Sequence, residues 1–183
     1  MPSLTHPDWS REAGKGWSPS AGLLRAHRGF DRFRGRSGVW AKLRRGVCVL
    51  KHRFWSAVTG ADIPLGTQLG GGLRLPHPNG IVIHPTAKIG VNCLIMQGVT
   101  IGTNIGTKAP EIGPGCDIGP GAKLLGSIKV GARAMIGANA VVTKDVPDLA
   151  LAVGVPAQIH TEWNDRRGAF DGQDALSADH TKS

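Results

Sequence analysis

"IGPGCDIGPGAKLLGSIKVGARAMIGANAVV" runs from Ile112 to Val142. Every sixth residue in it is aliphatic: Ile112, Ile118, Leu124, Val130, Ile136 and Val142. The chain is 40% hydrophobic. Six consecutive hits in a chosen phase then have a chance of ~0.004. Glycine follows four of the six, at Gly113, Gly119, Gly131 and Gly137. Four residues after each aliphatic stands a second, mostly small residue: Cys116, Ala122, Ile128, Ala134, Ala140 and Val146.

The beat extends outward from this stretch. Upstream it falls at Ile63, Leu69 and Leu75, then at Ile83, Ile89, Ile95 and Ile101; downstream it returns at Val153 and Ile159. A period of six fits neither an amphipathic helix nor a leucine-rich repeat. It fits a parallel β-helix in which each hexad makes one short strand and one turn. Three hexads close a triangular coil, and coils stack ~4.8 Å apart. The aliphatic residue points into the prism, and the small residue four places later points in near the corner. Glycine supplies the backbone angles that tight corners need. The beat makes about five coils.

Two interruptions break the rhythm. Leu75 and Ile83 are eight apart, so two residues are inserted, and that turn carries His77 in "LPHPNG". Ile101 and Ile112 are eleven apart, and "TNIGTKAPE" bulges as a loop. A regular solenoid carries its function where regularity breaks.

The flanks read differently. Residues 1–20 are rich in Pro, Ser, Gly and charge, and are expected to be disordered. Residues 21–60 form a basic helical segment. Trp40, Leu43, Val47, Leu50, Phe54 and Val58 have helical spacing, which predicts an amphipathic helix over about 39–59 that ends near Gly60. A weaker helix is expected over 22–33. The β-helix domain spans 61–160, and 161–183 is expected to be a flexible tail.

Twelve Lys and Arg against Glu12 and Asp31 between Arg11 and Arg53 supply +10, in a chain whose net charge is +9. Such a segment can bind nucleic acid or an anionic membrane, form a solvated helix face, or contact another subunit. No helix-turn-helix, zinc-finger or RNA-binding signature accompanies the charge, so no nucleic-acid partner is expected. No apolar run reaches the ~18 residues of a transmembrane segment, and the N-terminal stretch lacks a signal peptide's apolar core. Three widely spaced cysteines, Cys48, Cys93 and Cys116, read neither as a disulfide framework nor as a zinc site. A reducing cytoplasm is the expected compartment. Cys93 and Cys116 fall at small inward positions and read as inert core thiols.

The hexads, "LPHPNG" and the terminal "AVGVPAQ" together resemble the serine acetyltransferase-like branch of the left-handed β-helix acyltransferases, over roughly 40–160. The resemblance implies a mainly β protein: a left-handed parallel β-helix of hexapeptide repeats with a short N-terminal helical segment. It implies acetyl-CoA as acetyl donor, bound along the cleft between neighbouring prisms of a homotrimer. It implies transfer to a small-molecule hydroxyl, L-serine to O-acetylserine in cysteine biosynthesis. In that family a histidine after the third hexad is the general base, supported by an aspartate fifteen residues earlier; the matching residues are His77 and Asp62. Small residues of the later coils line the cofactor cleft, and the matching positions are Gly102, Pro120 and Ala138. The "GVPA" turn at 154–157 also matches.

The departures concern the acceptor. Pro76 stands where the family has an aspartate before the catalytic histidine. Lys108 and Ala109 stand where it has an Arg-His pair that helps hold the amino acid, which leaves Lys108 as the candidate for the acceptor carboxylate. Only about 60 residues precede the first hexad, in place of the family's long helical domain. This short form resembles acetyltransferases of polysaccharide pathways, so a saccharide O-acetyltransferase is the alternative, with a non-catalytic β-helix scaffold behind it.

The chemistry suits these residues. A neutral imidazole can take a hydroxyl proton at pH 7, and a carboxylate on its other nitrogen fixes the tautomer and stabilises the imidazolium. His84 lies in the glycine slot of an ordinary hexad and reads as structural. "GTNIGTK" at 102–108 lacks P-loop spacing. A three-histidine zinc centre of the γ-carbonic anhydrase type would need a third coil histidine, and none lies between His84 and His160, so no metal is expected.

Overall fold

The computed structural model describes residues 3–14, 17–104, 106 and 108–161. Its body is a triangular prism of stacked coils. The inward aliphatics form three vertical ladders, one per face. On face 1, Asp62 bridges Val82, and β2 (Val82–Ile83), β5 (Thr100–Gly102), β8 (Lys123–Leu125) and β11 (Val141–Val142) stack in parallel. Face 2 stacks β1 (Gln68–Leu69), β3 (Lys88–Ile89), β6 (Glu111–Ile112) and β9 (Lys129–Val130). Face 3 stacks β4 (Leu94–Ile95), β7 (Asp117–Ile118), β10 (Met135–Ile136) and β12 (Leu151–Val153), with Arg74 bridging Leu94.

Both inward positions of the hexad behave as the repeat requires. Ile83, Ile101, Leu124 and Val142 are buried in one column, and the residues four places on, such as Ala87, Cys93, Cys116, Ala122 and Ala134, are fully enclosed. The two core thiols donate to carbonyls of the next coil, Cys93 Sγ to Gly113 O at 3.2 Å and Cys116 Sγ to Gly131 O at 3.0 Å. Contact with the Cys93 sulfur, and then burial, push the Cys116 thiol far above its ordinary range, so it stays protonated and unreactive.

The corners correct one expectation. The glycine straight after each inward aliphatic does not supply a left-handed angle. Positive φ falls two residues later, as at Gly121 (φ +73) and Asn139 (φ +56). Gly119 is required instead by close approach: a Cβ there would lie 2.8 Å from Ala138 N and Ile136 O of the next coil. The two kinds of corner residue answer different needs, backbone angle at one and coil spacing at the other.

The last coil also departs from the sequence reading. Ala152, not Val153, points into the prism, in register with Ile136. Ile159 does not begin a further hexad. It lies on β13 (Gln158–His160), which turns back antiparallel to β12.

At the first coil, α1 (Pro19–Phe33) starts earlier than its apolar spacing suggests, because Ser18 caps it and Pro19 enters the first turn. Leu23 and Leu24 join the prism core. His27 and Arg28 reach the first coil's free carbonyls, at Thr67 O, Leu69 O and Gly70 O. A sheet edge is thereby covered by side-chain donors. α2 (Val39–Thr59) ends at Gly60 in the left-handed conformation, as expected. It packs on α1 where Gly22 and Gly29 leave room for Trp55 and Cys48.

Residues 1–20 were expected to be disordered, and the structure differs. Residues 3–14 lie against the prism and α1. Asn92 accepts from Asp8 N and donates to Ser3 O and His6 O. Glu12 pairs with Arg28 at 2.7 Å and accepts from Leu73 N. A polar composition did not prevent order, because the prism end supplies buried partners for the arm's backbone. The tail expected over 161–183 lies outside the described residues, apart from Thr161.

Gly119→Ala should lower stability by about 1–3 kcal/mol, because backbone rather than a movable side chain meets the added methyl. Thermal unfolding measures this, and an unchanged midpoint would refute it.

His27 and His52 are buried where α1 meets α2, with ring centroids 6.1 Å apart. Burial holds both imidazoles below the ordinary histidine pKa, outweighing the pull of Asp31 on His27. Their folded-state values are depressed, so their stability contribution is complete above pH ~6.5 and is lost as pH falls through the folded values. The melting temperature should therefore drop from pH 7 towards pH 5. His52→Leu should flatten that slope; an equal slope in the variant would rule out this origin.

Candidate functional site

The chain visits the faces in the order 1, 2, 3, so two corners border face 1. The corner from face 3 to face 1 carries the two-residue insertion. There Pro76 and Pro78 fix the backbone on both sides of His77. The turn is tied to the body: Ile81 N donates to Pro78 O at 3.3 Å, and Gly80 N donates to Gly60 O at 3.1 Å. His77 is exposed, and among the described residues its imidazole has no hydrogen-bond partner.

Asp62 follows Gly60 by two residues. Its backbone sits in the ladder, with Asp62 N donating to Ile81 O at 2.8 Å and Asp62 O accepting from Ile83 N at 2.9 Å. Its side chain points outward and is exposed beside Val82 on face 1. The inserted turn and Asp62 therefore share one neighbourhood of the first two coils. Among the described residues no hydrogen bond joins the two side chains.

The same corner descends as a column. Gly98 N donates to Asn79 O, Gly121 N to Gln97 O and Asn139 N to Pro120 O, at 2.8–2.9 Å. Pro120 is half-buried and Ala138 is exposed on this column, below His77. Compact side chains thus recur down this corner below the inserted turn.

Gly102 and Lys108 lie elsewhere. Gly102 ends β5, at the corner from face 1 to face 2. The loop that follows carries Lys108, which is exposed, and Ala109, which is buried. A cleft of about 470 Å³ opens between this loop and the next coils, lined by Asn104, Lys108, Ser127 and Thr143 among others. His84 also lies at this corner. Its Nδ1 accepts from Thr86 N at 3.3 Å, which closes a turn and supports a structural role. The candidate residues thus fall into two groups, His77, Pro120 and Ala138 at one edge of face 1, and Gly102 and Lys108 at the other. A single prism does not bring them together.

One residue of this face was missed from the sequence. Lys123 crosses face 1 with Nζ on Gly98 O at 2.8 Å and Thr100 Oγ1 at 3.0 Å. In the hexad code it looks like any other outward lysine, so nothing in the pattern marks it. A cavity of about 930 Å³ between Trp9, Glu12 and the arginines of α1 shares no residue with either edge. Among the described residues no cluster of His, Cys, Asp or Glu could hold a metal ion.

The family model for bacterial transferase hexapeptide repeats (six repeats) matches residues 109–144. A serine acetyltransferase of Haemophilus influenzae is 35% identical over 158 residues, 85% of this chain and 59% of the relative. The chain is similar to serine acetyltransferases in sequence and in fold. Among solved structures, a serine acetyltransferase in complex with CoA superposes with a TM-score of 0.66 at 33% identity, covering 79% of this chain and 58% of the other. The Neisseria gonorrhoeae serine acetyltransferase in complex with serine gives 0.63 at 39% identity, covering 74% and 54%. The chain spans about half the length of the curated relatives it matches, from 39% to 59% among the first three.

Proposed function

We propose that this protein is an acetyl-CoA-dependent O-acetyltransferase with L-serine as acceptor and His77 as general base. The observation that carries the reading is the placement of His77. It projects, unpartnered among the described residues, from the inserted turn above a strip of small residues, in a chain whose relatives include serine acetyltransferases crystallised with CoA and with serine.

In this reading His77 removes the serine hydroxyl proton as the oxygen attacks the thioester carbonyl. The tetrahedral oxyanion collapses, the C–S bond breaks, and the imidazolium returns its proton to the departing thiolate. O-acetylserine and CoA leave, and His77 is neutral again. Asp62 orients the imidazole and stabilises its charged form. Gly102, Pro120 and Ala138 line the path of acetyl-CoA, and Lys108 meets the serine carboxylate. The free thiols of Cys48, Cys93 and Cys116 fit a reducing, cytoplasmic setting. Among the described residues no helix is long and apolar enough to cross a membrane.

A second reading, a saccharide hydroxyl as acceptor, has its own support. Ala109 is buried and Pro76 has no charge, so the acceptor side offers fewer counter-charges to an amino acid than the family pattern does. A thiol-release assay with acetyl-CoA separates the two. Turnover with L-serine that Lys108→Ala abolishes supports serine. Turnover with sugars or nucleotide sugars alone moves the assignment to the saccharide. His77→Ala should lose ~10²–10⁴-fold in rate with either acceptor while still binding CoA. Asp62→Asn should lose no more than that. Near-full activity in His77→Ala would refute its role as base.

The reading includes a homotrimer. The two edges of face 1 meet only when a neighbouring copy turns its other edge inward, as a closed heterologous ring does. Light scattering should give three chains per particle. Co-expressing His77→Ala and Lys108→Ala chains should restore about a quarter of the sites, since random mixing places one intact edge of each kind together that often. No recovery would mean that both residues serve from the same chain.

A further inference from the structure

The α2 residues with helical spacing form one stripe, and the structure turns it outward. Trp40 is 77% exposed, Leu50 68% and Phe54 55%, with Leu43, Val47 and Val58 between 43% and 56%. The opposite side of α2, with Cys48, His52, Trp55 and Thr59, is the one that packs inward. The stripe therefore lies open along a helix of 21 residues.

Charge identifies the occupant. At 100° per residue, Lys42 and Arg53 border the stripe on one side, and Arg44 and Lys51 on the other; all four are exposed. α2 contains no acidic residue, and among the described residues none of its cations makes an ion pair. A second copy of α2 laid against the stripe would bring basic flanks against basic flanks, which a coiled-coil seam avoids. A bilayer with anionic headgroups meets both parts of the pattern. Its acyl boundary takes Trp40, Leu43, Val47, Leu50 and Phe54, and its phosphates take the flanking cations. The helix is too polar to span, so it would lie in the interface plane.

We infer that α2 is an interfacial anchor that docks this protein on an anionic membrane surface. The first coil and α1 hold α2 at one end of the prism, so the anchor lies at the first coil, where the turn that carries His77 bonds to Gly60 just past α2. Copies arranged around an axis parallel to the prisms present their stripes at the same end, and their weak individual affinities combine.

The test uses the full chain and vesicles of phosphatidylcholine with or without about one third phosphatidylglycerol, read by co-sedimentation. The chain should sediment with the anionic vesicles and remain in solution with the neutral ones. Leu43→Glu/Leu50→Glu should lose at least about tenfold in binding, and Lys51→Glu/Arg53→Glu a similar amount. Circular dichroism and light scattering on the variants, without lipid, should match the parent protein. Absence of binding to anionic vesicles by the parent chain overturns the inference, with no variant needed. Binding that survives both double substitutions overturns it as well. Dissociation of the assembly by Leu43→Glu/Leu50→Glu, without vesicle binding by the parent, assigns the stripe to a second copy instead.

Discussion

Everything in the prism depends on vertical register between coils. Each strand of two or three residues is too short to be stable alone, and it is held by hydrogen bonds to the coils before and after it. The aliphatic ladders can close only if every coil places its side chain directly over the last, as Ile83, Ile101 and Leu124 do. The spacing that allows this is backbone on backbone at the corners. It therefore forbids a Cβ at positions such as Gly119, and it gives any extra residue nowhere to go but outward. The insertion with His77 and the loop with Lys108 are the outward solutions.

That constraint explains what the sequence revealed. The sixfold beat disclosed the prism, its two inward positions and both interruptions, because side-chain volume at those places has almost no freedom. The corners were less legible. Glycine serves two needs there, and composition does not separate Gly119, needed for spacing, from Gly121, needed for its angle. The end of the prism was misread at Val153. The coil there is shortened, and the pattern holds no mark for a strand that reverses.

The helical flank was legible as helix but not as surface. Helical spacing identifies a stripe without saying what lies on the other side of it. In α2 the packed face is built from Cys48, His52, Trp55 and Thr59, a set that no hydrophobicity scale would choose over Trp40, Leu43, Leu50 and Phe54. The arm at residues 3–14 was hidden for a related reason. Its order depends on Asn92, more than eighty residues away, whose side chain looks in sequence like an ordinary turn residue. The candidate site shares this limit. The resemblance matches Asp62 and His77 to the family's pair, but the sequence does not show that Gly102 and Lys108 lie across face 1 from them.

The reversed strand β13 has a consequence for solubility. A solenoid is a template for its own continuation, because its terminal coil exposes donors and acceptors in the register that a following coil would use. On face 3 that rim is occupied by a strand running the opposite way, with Leu151 paired to His160. A parallel coil from another molecule finds the wrong polarity there, while α1 and its arginine already occupy carbonyls at the opposite rim. Among the described residues the two rims of the prism thus carry different devices, each of which disfavours head-to-tail stacking of coils.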